Sequence, residues 1–266
     1  MRYCGYHTHT TFSDGKNSME EMVQSAIRAG MPCIGFTDHS DSPYQDYCMR
    51  VGDYPAYLAE IDRLREQYAG QITIMKGIEL DSNSDPAIVK ELDYFLCSVH
   101  ELVFEDRYYG IDHAASLQME CINNELGGDK LAFAKMYFEE LAAHVERNKP
   151  TIVGHFDVLT KFSLMDEADP AYRRLALDAL ERIVKVCPVL EVNTGAIGRK
   201  YRTVPYPADF ILSAHREMGG KIILGADTHN VDTIDCAFPL AVEVAKKAGF
   251  DTLLTLWPDG FHEEKI

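Results

Sequence analysis

The chain has 266 residues, of which 46% are hydrophobic, and a formal net charge of −16. This length suits one large α/β domain or two small ones, and the apolar fraction is compatible with a full globular core. The negative charge argues against a protein that binds nucleic acid or an anionic membrane, because such a protein would carry a basic patch.

Seven cysteines are present, an odd number, and none forms a Cys-x-x-Cys pair. Most lie in apolar runs, where free cysteine behaves as a small hydrophobic residue in a reducing compartment. The N-terminus lacks a charged-then-apolar signal pattern, and no apolar run approaches the ~18 residues of a membrane span. We therefore expect a soluble cytoplasmic protein without nucleic-acid or membrane partners. The oligomeric state is not indicated.

Short apolar runs alternate with helical patterns along the chain. We predict seven strands, at residues 2–9, 33–37, 72–80, 94–99, 151–154, 189–193 and 221–225. Helices are predicted at residues 18–28, 54–68, 86–91, 130–147, 170–186, 207–218 and 233–248. Ser18, followed by Glu21, predicts a capping box at the start of the first helix. A small closing strand is expected at residues 252–256.

Residues 101–128 are the least regular stretch, and their length predicts short helices that act as a lid or substrate loop. No linker or internal repeat divides the chain, so we expect one domain over residues 1–266. Successive β-α units indicate a parallel sheet. We favour a closed or distorted TIM-like barrel over an open doubly wound sheet, because the first β-α turn lacks the Gly-x-Gly-x-x-Gly fingerprint.

Two histidines of the first predicted strand, His7 and His9, are spaced i and i+2. Alternate residues of a strand share a face, so these imidazoles are suited to form half of a metal site, although His-Thr-His alone also matches ordinary strand composition. Other ligand-type residues lie at or near the C-terminal ends of later strands, where the ends of a β/α barrel converge on one face. The full set is His7, His9, His39, Glu79, His100, His155, Asp227 and His229.

The set holds six of the ten histidines. We interpret His144 and His215 as solvated or capping residues, and leave His113 and His262 unassigned. Imidazole and carboxylate without thiolate suit Zn, Fe or Mn, and the set is large enough for more than one ion. Two neighbouring ions would share a bridging hydroxide, which is a nucleophile for hydrolysis near neutral pH.

Seven short motifs occur in order over nearly the whole chain. They are His-Thr-His-Thr at residues 7–10, Ser-Asp-Gly at 13–15, Thr-Asp-His at 37–39, Gly-Ile-Glu at 77–79, Ser-Val-His at 98–100, Gly-His-Phe-Asp at 154–157 and Asp-Thr-His at 227–229. In this pattern the chain resembles the polymerase and histidinol phosphatase (PHP) superfamily. The chain length and residues 11–17 are most similar to the histidinol-phosphatase branch.

The resemblance implies a distorted (β/α)7 barrel with two to three divalent metal ions, which could be Zn, Fe or Mn. It implies one site with His7, His9, Glu79 and Asp227, a second with Glu79 as a bridge, His100 and His155, and a third with Asp14, His39 and His229. Asp14 has an alternative role as a turn residue before Gly15. Within the set, Glu79, His100 and Asp227 are the predicted catalytic residues.

The implied activity is phosphomonoester hydrolysis, with L-histidinol phosphate as the expected substrate in histidine biosynthesis. A hydroxide between the first two ions would attack phosphorus, and the third ion would anchor a non-attacked oxygen. Bound cations would make the pocket positive inside an acidic protein, so that an anionic substrate is attracted to it.

Arg199, in the loop after the sixth strand, is our first candidate for a phosphate clamp, because guanidinium binds phosphate bidentately. Lys161 and Arg202 are weaker candidates, and each of the three could instead be a solvated loop cation. Relatives in this branch commonly have a basic residue where Thr160 lies. Here that cation is missing, or is replaced by Lys161.

Three other functions fit parts of the pattern. The first is a PHP phosphoesterase for another small phosphorylated metabolite or nucleotide. The second is an amidohydrolase-like C–N hydrolase, which would normally use a bridging lysine at a strand end, where this chain has Glu79. The third is a non-enzymatic metal-binding or DNA-polymerase-associated module, against which the acidity and the single domain argue.

Overall fold

The computed structural model describes residues 2–266. Its helices are α1 Met19–Arg28, α2 Tyr54–Gln67, α3 Ala115–Leu126, α4 Lys130–Asn148, α5 Pro170–Val184, α6 Gly195–Gly198, α7 Asp209–Glu217 and α8 Phe238–Lys247. Its strands are β1 Cys33–Phe36, β2 Thr73–Lys76, β3 Glu79–Asp81, β4 Leu96–Ser98, β5 Glu101–Phe104, β6 Arg107–Gly110, β7 Ile152–Val153, β8 Val189–Asn193, β9 Lys221–Gly225, β10 Thr252–Trp257 and β11 Gly260–Lys265. Short 3₁₀ turns lie at Val51–Asp53, Pro86–Glu91, Val158–Thr160 and Val231–Thr233.

The main sheet has seven strands in the order β11-β10-β9-β8-β7-β4-β3. All neighbours in it are parallel except β11, which is antiparallel to β10. β1 and β2 form a parallel pair, and β5 and β6 form an antiparallel hairpin. Since most strands of the main sheet run the same way, their C-terminal ends and the loops that follow lie at one edge.

The N-terminal segment forms less of a strand than the sequence predicts. Within residues 2–9, only Gly5 and Thr8 form isolated bridges, to Ile34 and Thr228 respectively. The ladder is interrupted because the Thr8 N–H donates to the side-chain hydroxyl of Thr37 (3.0 Å). The segment thus connects β1 to the end of β9. The fold is a mixed α/β, TIM-like domain, without a continuous closed ladder among residues 2–266.

The predicted strand at residues 72–80 is two strands, broken at Gly77. Its first part, β2, pairs with β1, and its second part, β3, pairs with β4. The ring of Tyr94 packs on the break, where a Cβ on Gly77 would lie 2.6 Å from it. The hydroxyl of Tyr57 donates to the Gly77 carbonyl (2.9 Å) and fixes the change of direction.

Several predicted boundaries need correction. Residues 101–128 contain the β5–β6 hairpin and the 12-residue helix α3 instead of short helices. The helix predicted from residue 233 begins at Phe238, because Ala237 has a left-handed backbone (φ 59°). Strand β11 was not predicted, since its mostly charged and exposed residues lack an apolar pattern.

The capping box at Ser18 is confirmed: the Glu21 N–H donates to the Ser18 hydroxyl, and the Glu21 carboxylate accepts from the Ser18 N–H. The helices pack an apolar face toward the sheets, and the largest fully buried side chains include Tyr137, Phe138, Phe156 and Tyr172. Between residues 2 and 266 there is no helix with both the length and the apolarity that crossing a bilayer requires.

Candidate metal centre

The nine predicted ligands converge at the C-terminal edge of the strands, with the buried carboxylate of Glu79 at the centre. Its Oε2 lies 3.1 Å from His39 Nδ1, 3.3 Å from His7 Nε2 and 3.5 Å from His9 Nε2. Its Oε1 lies 2.9 Å from His155 Nε2 and 3.4 Å from His100 Nε2. One carboxylate therefore faces five imidazoles, which is the arrangement expected of a bridging ligand.

Two further carboxylates face some of these imidazoles and that of His229. Asp227 Oδ1 lies 3.4 Å from His9 Nε2 and 3.8 Å from His7 Nε2. Asp14 lies 3.1 Å from His229 Nε2 through Oδ2, and 3.7 Å from His39 Nε2 through Oδ1. The ligand atoms form four overlapping groups: His9-Asp14-His39-His229, His7-Glu79-His155, His7-His9-Asp227 and His39-Glu79-His100.

Buried atoms without hydrogen-bond partners test whether metal ions fit this centre. His7 Nε2, His9 Nε2 and Glu79 Oε2 are buried, and none has a hydrogen-bond partner among residues 2–266. A buried polar atom left unpaired is costly, so lone pairs that converge in this way indicate a bound cation. The donor set of imidazole and carboxylate suits Zn, Fe or Mn. These residues therefore fit divalent ions.

The charge states of two carboxylates and one imidazole also suit ligation. Burial raises the pKa of Glu79 and of Asp227, but neighbouring positive charges, His7 for Glu79 and Arg199 for Asp227, outweigh it and hold both pKa values well below the usual range. Burial, together with His229 and His39, lowers the pKa of His9 to about 3. The carboxylates are thus anionic and this imidazole is neutral. Burial lowers the pKa of His7 and of His100, but the carboxylates of Glu191 beside His7 and of Glu79 beside His100 outweigh it and raise both pKa values well above the usual range. Because a ligand imidazole must be neutral, metal binding to these two residues would release protons.

Two buried acids that the sequence reasoning missed orient ligand imidazoles. Glu191 Oε1 lies 2.6 Å from His7 Nδ1, and its Oε2 accepts from the backbone N–H of His155 (2.9 Å). Asp81 Oδ2 lies 2.7 Å from His100 Nδ1. Such partners fix the tautomer and the ring orientation of a ligand histidine. A signal existed for both: Glu191 interrupts an apolar strand, and Asp81 follows Glu79 at i+2.

A third missed acid, Asp38, shapes the turn that carries Asp14. Its Oδ1 accepts from the Thr10 N–H (2.7 Å), the Ser13 N–H (3.1 Å) and the Ser13 hydroxyl (2.7 Å). The carboxylate therefore connects the end of β1 to the turn at residues 10–14. It accounts for the fixed position of Asp14, whose side chain is 32% exposed.

A cavity of about 250 Å³ opens above the centre. Its lining residues are Asp14, His39, Tyr47, His100, Asp112, His113, His155, Lys161, Arg199, Asp227 and His229. Of the three predicted substrate-binding cations, Arg199 and Lys161 line this cavity. Arg202 does not: its guanidinium donates to the Thr160 hydroxyl (2.6 Å) and pairs with Glu167 (2.8 Å).

Arg199 is held beside the ligands by Asp227. Its Nη2 donates to Asp227 Oδ2 (2.8 Å) and its Nη1 to the Asp227 carbonyl (3.0 Å). The approach is possible because Gly195 has no side chain; a Cβ there would lie 2.6 Å from Asp227 Oδ2. Asp227 has a left-handed backbone (φ 46°), a conformation that costs of order 1–3 kcal/mol for most residues. One carboxylate oxygen thus faces the imidazoles and the other faces Arg199.

The four remaining histidines lie outside the nine ligands. His144 and His215 are fully buried, so the interpretation of them as solvated residues is wrong. His144 Nε2 lies 2.9 Å from the Leu80 carbonyl, and His215 Nε2 lies 2.9 Å from the Lys221 carbonyl. His113 lines the cavity, and His262 is an exposed residue beside Asp259 (3.0 Å).

Replacing Glu191 by glutamine is expected to lower metal affinity by roughly 10–100-fold while the fold is retained, because the amide orients His7 less firmly than the carboxylate. The measurement is a competition titration with a chromophoric chelator, with circular dichroism as a check of folding. Glu263→Gln, which alters an exposed ion pair with Lys221, is the control. Equal affinities in the Glu191 variant and the native protein would exclude the orienting role.

A family model described as "PHP domain" matches residues 5–195. A Deinococcus radiodurans protein named "Probable histidinol-phosphatase" is 28% identical, over 94% of this chain and 95% of its own length. A Bacillus subtilis protein named "Histidinol-phosphatase" is 25% identical, over 89% of this chain and 97% of its own length. The crystal structure of a histidinol phosphate phosphatase from Lactococcus lactis, complexed with zinc, L-histidinol and phosphate, shares the fold. Its TM-score is 0.74 at 23% identity, and the match covers 98% of this chain and 99% of that chain.

Proposed function

The chain belongs to the PHP domain family, and from this membership we propose that it is a metal-dependent phosphomonoesterase that hydrolyses L-histidinol phosphate to L-histidinol and phosphate. The proposal depends on one observation: metal-ligating side chains and side-chain cations lie in the same cavity. A cluster of metal-ligating side chains and two cations, Arg199 and Lys161, line one cavity. Ions and cations together suit a phosphate dianion. The names of the full-length relatives support the same substrate and a role in histidine biosynthesis.

The chain's own residues have distinct tasks in this reaction. Arg199 and Lys161 would bind phosphate oxygens, and Asp227 orients Arg199 through its outer oxygen. Glu79, His100 and Asp227 would hold the ions, and Asp81 and Glu191 orient the rings of His100 and His7. When bound, divalent ions supply an activated water as nucleophile and neutralise the charge that develops on the phosphoryl oxygens.

We extend the proposal to the metal complement and to the ligand set. Two to three ions are supported by the four overlapping groups, because the described ligand atoms exceed what one tetrahedral ion takes. Zn, Fe and Mn all suit these donors. The nine ligands are His7, His9, Asp14, His39, Glu79, His100, His155, Asp227 and His229.

The finer description of the fold is also a proposal. Residues 2–9 would be the first of seven strands in a distorted (β/α)7 barrel within one domain of residues 1–266. The isolated pairs Gly5–Ile34 and Thr8–Thr228 support this, because they place the segment between β1 and the end of β9. A reducing, cytoplasmic location is supported by the seven cysteines, which are all free thiols.

The test is a phosphate-release assay on protein whose metal content has been quantified. The substrates are histidinol phosphate, a panel of other phosphorylated metabolites, p-nitrophenyl phosphate and a set of amides. We expect phosphate release, with the highest kcat/KM for histidinol phosphate. Fully metal-loaded protein that releases no phosphate would rule out the phosphatase, and turnover of an amide alone would favour a C–N hydrolase.

A further inference from the structure

Five cavity residues are not among the nine ligands. They are Tyr47, Asp112, His113, Lys161 and Arg199. Lys161 and Arg199 are the cations of the proposed phosphate site. The other three are an acid and two rings, which phosphate binding alone does not require.

Asp112 lies beside the phosphate-binding cation Lys161. Lys161 Nζ lies 3.1 Å from Asp112 Oδ2 and also donates to the Asp112 carbonyl. Lys161 contacts the side chain through Oδ2, and the side chain is 21% exposed at the cavity. Burial opposes ionisation, but the charge of Lys161 outweighs it and holds the pKa of Asp112 below its usual value. A charged carboxylate therefore lines the cavity beside Lys161.

An acid beside a phosphate-binding lysine is unfavourable in a cavity for an anion. It repels a phosphate dianion, and it weakens the field of the neighbouring lysine. A carboxylate is expected at this position if the substrate also carries a positive group at the end remote from phosphorus. An ammonium group fits, because charge-assisted hydrogen bonds to a carboxylate are strong.

The two rings lie at the same part of the cavity. Tyr47 and His113 are nearly parallel (4°), with their centroids 6.4 Å apart, and Tyr47 also packs edge-on against the ligand His39 (5.2 Å). A planar heterocycle can pack on such aromatic faces. The loop that carries Tyr47 is held over the cavity by Ser42, whose hydroxyl donates to the buried Glu101 carboxylate (2.7 Å).

We propose that Asp112, with Tyr47 and His113, forms the leaving-group subsite, in which Asp112 binds the ammonium of a phosphorylated amino alcohol and the rings contact its heterocycle. This inference rests on the proposed function and assigns the selectivity of the same site. Asp112 is a specificity-determining residue, distinct from the phosphate-binding cations. Asp106 and Glu105, the exposed acids at the β5–β6 turn, have no part in it.

The test compares two ligands that differ in one group. L-Histidinol and its des-amino analogue, 3-(imidazol-4-yl)propan-1-ol, are titrated calorimetrically into metal-loaded native protein and into Asp112→Asn. We expect the native protein to prefer L-histidinol, and the substitution to reduce the affinity ratio by roughly 10–100-fold, the range for a lost hydrogen bond to a charged group. In turnover, the kcat/KM ratio of histidinol phosphate to its des-amino analogue should fall by the same factor.

Asp106→Asn is the matched control and should leave both ratios at the native value. Asp112→Glu keeps the charge and should retain part of the preference for L-histidinol. This variant replaces Asp112→Asn in the test if the asparagine variant does not fold. If Asp112 only positions the phosphate-binding Lys161, the affinity ratio of the two phosphate-free ligands is unchanged, which overturns the proposal. The ratio of the two binding affinities can be measured even if the protein has no phosphatase activity. Native protein that hydrolyses no phosphomonoester, yet shows the Asp112-dependent preference for L-histidinol, would refute the proposed phosphatase activity and leave the subsite proposal standing.

Discussion

Replacing Glu79 by glutamine is expected to strip metal from the protein and to lower kcat/KM for histidinol phosphate by at least about 10³-fold. The carboxylate is fully buried and lies within 3.5 Å of five imidazole nitrogens. It belongs to two of the overlapping ligand groups. The amide is nearly isosteric, so the loss comes from the missing charge and the missing second ligand oxygen.

The measurements are elemental analysis of the purified variant and steady-state kinetics. Glu101→Gln is a matched control, because Glu101 is equally buried and follows the ligand His100, but its carboxylate accepts from Ser42 (2.7 Å). The control should keep its metal. A Glu79 variant with the full metal content and native rates would refute the bridging role.

Removing the metal with a chelator is expected to abolish activity and to lower the Tm by roughly 10 °C. The buried ligands favour bound ions in the folded state only, and a ligand at about 1,000 times its Kd stabilises by about 4 kcal/mol. For a chain of this size, 1 kcal/mol corresponds to about 2–4 °C. Calorimetry of metal-free and reloaded protein gives the shift.

Reloading with Zn, Mn or Fe separately should restore both Tm and activity, and the ion that restores the highest kcat identifies the preferred metal. Glu79→Gln provides the comparison, since its Tm should respond less to the chelator. Chelated protein that is metal-free by elemental analysis, yet retains its Tm and its turnover, would contradict the metal requirement.

Much of the site could be predicted because its ligands are chemically distinctive and follow strands. His7 and His9 suggested a shared face, and the structure places them within 3.8 Å of Asp227 across the whole chain. The partners Glu191 and Asp81 were missed, because their roles depend on contacts with His7 and His100, which come from other parts of the chain. Asp112 was missed because it follows a hairpin that the sequence pattern does not reveal.

The fold was predicted less completely, because several of its features depend on contacts between distant parts of the chain. The break at Gly77 depends on the ring of Tyr94, which packs there from a distant part of the chain. The strand β11 has alternation too weak to detect, and it forms because β10 offers six backbone partners. Arg202 matched the pattern of a loop cation, but Thr160 and Glu167 bind it away from the cavity.

The position of the N-terminal segment between β1 and the end of β9 has a consequence for biosynthesis. Thr8 pairs with Thr228, and the Tyr6 hydroxyl donates to the carbonyl of Leu256, 250 positions later. On the ribosome, Tyr6 and Thr8 can therefore dock only after Thr228 and Leu256 have been synthesised. Contacts of such high sequence separation slow folding. The complete set of ligand residues thus exists only after His229 has been synthesised, so the full metal centre would be loaded after that point of translation.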